Sequence, residues 1–177
     1  MKIKIKLFEG GHIPEITPKG DWIDCFAAKD TVIKTPFANT LHQNKTIRDV
    51  VIANDLIPLG FAMELPKGYE AVANPRSSSY NKYGVILANS QGVIDNSYNG
   101  ENDQWWFNAI ALRGTTIYKG DKICQFRIQL SQFATVWQKI KWLFWNGKIE
   151  FVQVESLKDE SRGSSMTNNT TNESNKH

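Results

Sequence analysis

The residues from Gly92 to Gly100, Gly-Val-Ile-Asp-Asn-Ser-Tyr-Asn-Gly, hold one carboxylate, Asp95, and one aromatic ring, Tyr98, close together in a turn-rich stretch. An apolar pair, Val93 and Ile94, precedes them, and a glycine at each end lets the backbone turn tightly or pass close to a ligand. The pattern predicts a β-hairpin pocket that receives a flat ring and keeps a base beside it. The plain alternative for an isolated Val-Ile-Asp is an ordinary hairpin in which Asp and Asn form the turn. A second constellation lies upstream. Asn74-Pro-Arg-Ser-Ser-Ser-Tyr concentrates the Arg76 guanidinium and the hydroxyls of Ser77, Ser78 and Ser79. A planar guanidinium fork with short hydroxyl and N–H donors suits phosphate, and serine in such a place also caps helical turns.

The elements that must carry these residues are mostly short strands. Ile3, Ile5 and Leu7 alternate with Lys2, Lys4 and Lys6, which predicts a half-buried strand whose lysines guard a sheet edge. Residues 21–28, 31–35, 47–53, 61–65, 69–73 and 84–89 read as further strands bounded by Gly and Pro turns, and 37–46 as a polar surface excursion. In 105–112, Trp105, Phe107, Ala109 and Ala111 share a core face, which leaves Trp106 between the amides of Gln104 and Asn108 on the other. A turn at 119–121 leads to a strand over 122–128 that contains Gln125. Residues 134–146 place Val136, Ile140, Leu143 and Phe144 at helical spacing, with Gly147 as a stop. That reads as a short packing helix, while Asn146-Gly147 also fits a hairpin turn before a strand at 148–154. Repeated short strands predict an all-β domain over 1–157, followed by a flexible Ser/Thr/Asn-rich tail over 158–177.

The bulk properties narrow the function class. A chain of 177 residues suits one domain with a proper core. The net charge of +3 is spread out, against a nucleic-acid partner. No apolar run has the length of a membrane span, and the lysine-rich start lacks the apolar core of a signal peptide. Cys25 and Cys124 are too few for a zinc site and sit in apolar contexts, as reduced buried thiols in a cytoplasm do.

Taken together and in order, these segments resemble the trimeric dUTP pyrophosphatases over residues 1–165. Asp21-Trp-Ile-Asp-Cys-Phe-Ala-Ala is similar to the first family motif, Pro75-Arg-Ser-Ser to the second, and the Gly92–Gly100 stretch to the third. Gly120-Asp-Lys-Ile-Cys-Gln-Phe resembles the fourth, and Ser161-Arg-Gly-Ser the start of the fifth. Gly-Asp-Trp-Ile-Asp, Arg-Ser-Ser-Ser-Tyr and Tyr-Asn-Gly-Glu-Asn-Asp look closest to the branch found in bacilli and their phages. The resemblance implies a β-barrel-like jelly roll with one short helix or hairpin insertion near the C-terminus, assembled as a homotrimer. It implies hydrolysis of dUTP to dUMP and pyrophosphate with Mg²⁺, and Asp95 as the base that activates water. Arg76, Ser77, Ser78, Gln125 and Arg162 are then expected on phosphate oxygens. Asn89, Val93, Ile94 and Asp95 would read uracil, Tyr98 would pack under the deoxyribose, and Asp24 would hold metal-bound waters.

Three departures from the family pattern stand out. Asp21-Trp22-Ile23 replaces the usual Ala-Gly-Tyr, residues 37–46 and 134–146 read as insertions, and Arg162-Gly163 lacks the aromatic and glycine run that normally follows. Trp106 is the candidate to supply the missing base-stacking ring. Two alternatives accompany this reading. A dCTP deaminase shares the fold, but wants a glutamate in a Thr-Leu-Glu-like strand where this chain has Trp-Trp-Phe-Asn-Ala-Ile. A nucleotide-sensing protein with a regulatory partner would use the tryptophan-rich segment as its contact surface.

Overall fold

The computed structural model describes residues 1–18, 20–34, 37–40, 47–51 and 53–158. In chain order the first strands are β1 (Lys2–Leu7), β2 (Glu15–Ile16), β3 (Ile23–Phe26), β4 (Thr31–Ile33), β5 (Phe37–Thr40), β6 (Ile47–Val51), β7 (Ala53–Pro58), β8 (Phe61–Glu64) and β9 (Tyr69–Pro75). Helix α1 (Ser79–Tyr83) follows, then β10 (Val85–Leu87), β11 (Gly92–Ile94), β12 (Trp106–Ala111), β13 (Thr115–Ile117) and β14 (Lys122–Leu130). Helix α2 (Val136–Leu143) and β15 (Glu150–Gln153) complete the described elements.

The strands form an all-β jelly-roll arrangement of small sheets. One has the order β15-β1-β8, a second β10-β12-β7, and the largest β11-β9-β14-β3-β2, with β13-β4 and β5-β6 as separate pairs. The alternation of β1 is as expected, since Ile3 and Ile5 are fully buried. Its place is not the expected edge: β15 pairs with it in parallel and β8 antiparallel, so β1 is central and its lysines meet Glu64 and Glu150 instead of guarding an open ladder. Rings from two sheets and from Trp105, the residue before β12, meet in the core. Trp105 lies 5.1 Å from both Phe61 and Phe126, and Phe126 lies 6.5 Å from Phe151.

Several local expectations are corrected. Part of the 37–46 excursion is strand, because β5 pairs with β6; residues 41–46 lie outside the described residues. The Ser-rich segment after β9 folds into α1, closed by Gly84 in the left-handed conformation with its N–H on the Tyr80 carbonyl. Gly92 starts a strand that pairs with β9, so the stretch is strand plus turn and not a hairpin. The left-handed residue lies just before it, Ser90 at φ 52°, and neither Gly92 nor Gly100 has a positive φ.

The helix expected near the C-terminus forms as α2, opened by a capping box between Thr135 and Gln138. It does not bury its apolar stripe. Val136, Leu143 and Phe144 are exposed, and the inward contacts come from Trp142 on Tyr69 and Trp145. The helix is held instead by Gln138, which donates to the Lys67 carbonyl. This contrast sets a stability test. Phe126→Ala should cost about 3–5 kcal/mol, while Leu143→Ser should change stability by less than about 0.5 kcal/mol, both read by urea unfolding at one protein concentration.

Candidate active site

Strand β11 and the turn after it form one wall of a cavity of about 500 Å³. Its lining includes Asn89, Val93, Ile94, Asp95, Tyr98, Trp106 and Asn108, and the buried Leu87, Trp105 and Cys124. The turn is built by its own side chains. Asp95 accepts from the N–H and the hydroxyl of Ser97, and its carbonyl accepts the Tyr98 N–H. Tyr98 donates its hydroxyl to the Gln104 carbonyl at 2.8 Å, which ties the turn to the start of β12. The buried Asp103 closes the loop by accepting from the Gly100 N–H at 2.8 Å. Glu101 anchors it further, pairing with Lys6 and accepting the Leu157 N–H; the Lys6 ammonium holds the Glu101 carboxyl below its ordinary pKa. Asp103 and Glu101 were missed from sequence because a lone acidic residue in a polar loop carries no periodic signal. Trp106 is partly exposed while Trp105 is buried, the alternation expected of β12, and both line the cavity.

The remaining predicted residues form a second cluster on the adjoining strands. Asp24 on β3 is opposite Gln125 on β14, and Gln125 is opposite Asn74 on β9. Asp24 is only 4% exposed, so its charge must be compensated. Arg76 Nε lies 2.9 Å from Oδ1 and Lys122 Nζ 3.1 Å from Oδ2. Lys122 also reaches Glu15 at 2.6 Å, and this bond, with Asp24 adding to it, keeps the ammonium above its ordinary pKa. Ser77 and Ser78 are exposed at the start of α1. Ser79, the third hydroxyl of the run, is fully buried: it donates to the Ile123 carbonyl at 2.7 Å and accepts the Arg76 N–H at 3.1 Å. It therefore fixes the backbone that presents Arg76. None of Asp24, Arg76, Ser77, Ser78 or Gln125 lines the cavity, and Arg162 lies outside the described residues.

Comparison with known proteins gives the family. The dUTPase family profile matches residues 42–171. The chain belongs to the dUTPase family. A prophage-derived deoxyuridine 5'-triphosphate nucleotidohydrolase of Bacillus subtilis is 42% identical over 92% of this chain and 94% of its own length. A deoxyuridine 5'-triphosphate nucleotidohydrolase of Hydrogenobaculum is 34% identical over 72% of this chain and 79% of its own. Among solved structures, the dUTPase of Streptococcus mutans superposes with a TM-score of 0.59 at 20% identity, covering 75% of this chain and 98% of that one. The dUTPase of Staphylococcus bacteriophage 80alpha, solved with dUpNHpp, superposes with a TM-score of 0.58 at 16% identity over 76% and 93%.

Within this dUTPase-family chain, Asn89, Val93, Ile94, Asp95 and Tyr98 share the cavity with Cys124, while Asp24, Arg76 and Lys122 share the ion-pair cluster. Among the described residues no group of three His, Cys, Asp or Glu is placed to hold a metal ion. Both Asp24 oxygens are engaged by cations, Arg76 and Lys122. Ser79→Ala should cost about 1–3 kcal/mol, because it leaves the buried Ile123 carbonyl and Arg76 N–H without their partner, as measured by urea unfolding. Serine-to-alanine exchange at the exposed Ser78 should leave the midpoint in place.

Proposed function

We propose that this chain hydrolyses dUTP to dUMP and pyrophosphate, limiting uracil entry into DNA and supplying dUMP. The observation that carries the reading is the gathering of Asn89, Val93, Ile94, Asp95, Tyr98 and Trp106 around one cavity. The uracil lies against β11, with backbone groups near Asn89 and Val93–Asp95 reading its edge. Tyr98, fixed through its hydroxyl to Gln104, packs under the deoxyribose. A 2′-hydroxyl there would be buried without a partner, which disfavours the ribonucleotide. Trp106 covers the base from the β12 side and supplies the ring that the fifth motif lacks.

In the reaction, the Asp95 carboxylate takes a proton from water, and the resulting oxygen attacks the α-phosphorus as pyrophosphate leaves. Mg²⁺, when bound, neutralises the charge that builds on the departing phosphates. Asp24 contributes through water, held in place by Arg76 and Lys122. Arg76, Ser77, Ser78, Gln125 and, from the tail, Arg162 bind phosphate oxygens. The family-named relatives, and a structure of the phage phi11 dUTPase described with a structural Mg(II) ion, support this assignment.

The separation of the two clusters supports a site shared between chains. Arg76, Ser77 and Ser78 are not among the residues lining the cavity of their own chain, and a homotrimer that brings the cluster of one protomer to the cavity of the next completes each site. No helix among the described residues is long and apolar enough to cross a membrane, and the reading places the enzyme in the host cytoplasm. A further role rests on α2. Its exposed Val136, Trp137, Leu143 and Phe144 alternate with Lys139 and Lys141, a surface suited to a regulatory protein partner. A phage 80alpha dUTPase structure is described in terms of control of virulence-gene transfer by a G protein-like mechanism.

The first test is pyrophosphate release from dUTP, dCTP, dTTP and UTP, each with and without Mg²⁺. Turnover should be confined to dUTP. Asp95→Asn should lower kcat by about 10²–10⁴-fold, and Trp106→Ala should raise KM by about tenfold. Ammonia release from dCTP, or tight dUTP binding without turnover, would overturn the assignment. A second test addresses the shared site. Mixing Asp95→Asn and Arg76→Ala protomers after co-refolding should restore about a quarter of wild-type activity, whereas a site contained in one chain would stay inactive.

A further inference from the structure

Cys25 on β3 and Cys124 on β14 are directly opposed across the antiparallel ladder. Residues so placed have Cα atoms about 4.5–5.5 Å apart, inside the span of about 4.4–6.8 Å that a disulfide accepts. Both side chains leave the sheet on the same face, and each is 1% exposed. The thiols also interact. Burial first, and then the hydrogen bond with Cys124, hold the Cys25 thiol well above its ordinary pKa. Their surroundings differ in access, because Cys124 belongs to the wall of the large cavity and Cys25 does not. The ladder is irregular between Lys122 and Cys124, where a bulge increases local twist. Each cysteine is bonded to a member of the ion-pair cluster: Cys25 follows Asp24, and Cys124 precedes Gln125.

We propose that Cys25 and Cys124 are a redox-active dithiol, oxidised by hydrogen peroxide entering through the cavity to a cross-strand disulfide that displaces Asp24 and Gln125. Cys124, after losing its proton to water, attacks one peroxide oxygen. The O–O bond breaks, hydroxide leaves and takes up that proton, and Cys124 becomes a sulfenic acid. The Cys25 sulfur then attacks the Cys124 sulfur. The S–O bond breaks, and the oxygen leaves as water with the Cys25 proton. Two thiols are oxidised and one peroxide is reduced to two waters. An added dithiol reverses the link by exchange. Cys25, buried away from the cavity, is the resolving partner.

The test uses the reduced full-length chain treated with hydrogen peroxide, then denatured, alkylated and digested with trypsin. Oxidised protein should lose about 2 Da, offer neither cysteine to the alkylating reagent, and yield residues 20–29 linked to residues 123–127. Cys25→Ser should instead stop at a Cys124 sulfenic acid that dimedone traps. Recovery of both cysteines as free thiols, or oxygen addition without a linked peptide, would overturn the proposal. Should the serine variant fail to fold, the linked wild-type peptide alone decides. These readouts are independent of turnover, so their failure and failure of the hydrolase reading are distinguishable. The effect on the ion-pair cluster rests on that reading: the linked form should hydrolyse dUTP about tenfold or more slowly and recover with dithiothreitol. Full activity in the linked form would overturn the displacement of Asp24 and Gln125.

Discussion

The contact of Trp105 with Phe61 and Phe126 is the constraint on which the other features depend. Phe61 belongs to β8, Phe126 to β14, and Trp105 leads into β12, so three rings join three of the sheets. Aromatic side chains bury large areas and prefer the tilted and edge-on geometries found here. Because side chains alternate along a strand, burying Trp105 obliges Trp106 to face outward. It lines the cavity together with Asp95 and Tyr98. Core packing thus decides the orientation of a ring with no core role of its own.

The second organising element is β14, which pairs along both edges, with β9 and with β3. A nine-residue strand flanked in this way aligns Asp24, Gln125 and Asn74 in one row. The carboxylate in that row is buried, and two cations satisfy it. A buried charge stripped of a partner is costly, so Arg76 is held to the sheet even though it lies beyond the end of β9. Ser79 adds the backbone tie. Side chains held in this way lose little freedom when a ligand arrives.

Helix α2 follows a different logic. Its start is specified locally, by a Thr135–Gln138 capping box, and its attachment comes from one side-chain bond and stacked rings. The apolar stripe that defines it in sequence stays largely in solvent. Amphipathic periodicity therefore identified the helix correctly and its packing incorrectly: a stripe reports that a surface is apolar, not which surface covers it.

Much of this protein was determined by sequence alone. Alternation in β1 and β12, the Gly and Pro turns, and the ordered motifs around Asp24, Arg76, Asp95 and Gln125 specified an all-β fold of one family, because period and turn chemistry are local properties. Tertiary structure decided what depends on strand neighbours distant in the chain. It made β1 central, paired β11 with β9, and set Cys25 against Cys124. It also buried Ser79 and Asp103 as supports. It also set Asp95 and Tyr98 in the wall of a cavity and Asp24, Arg76 and Lys122 in a neighbouring ion-pair cluster. Register between remote strands is chosen by the packing of the whole core, and no window of sequence contains it.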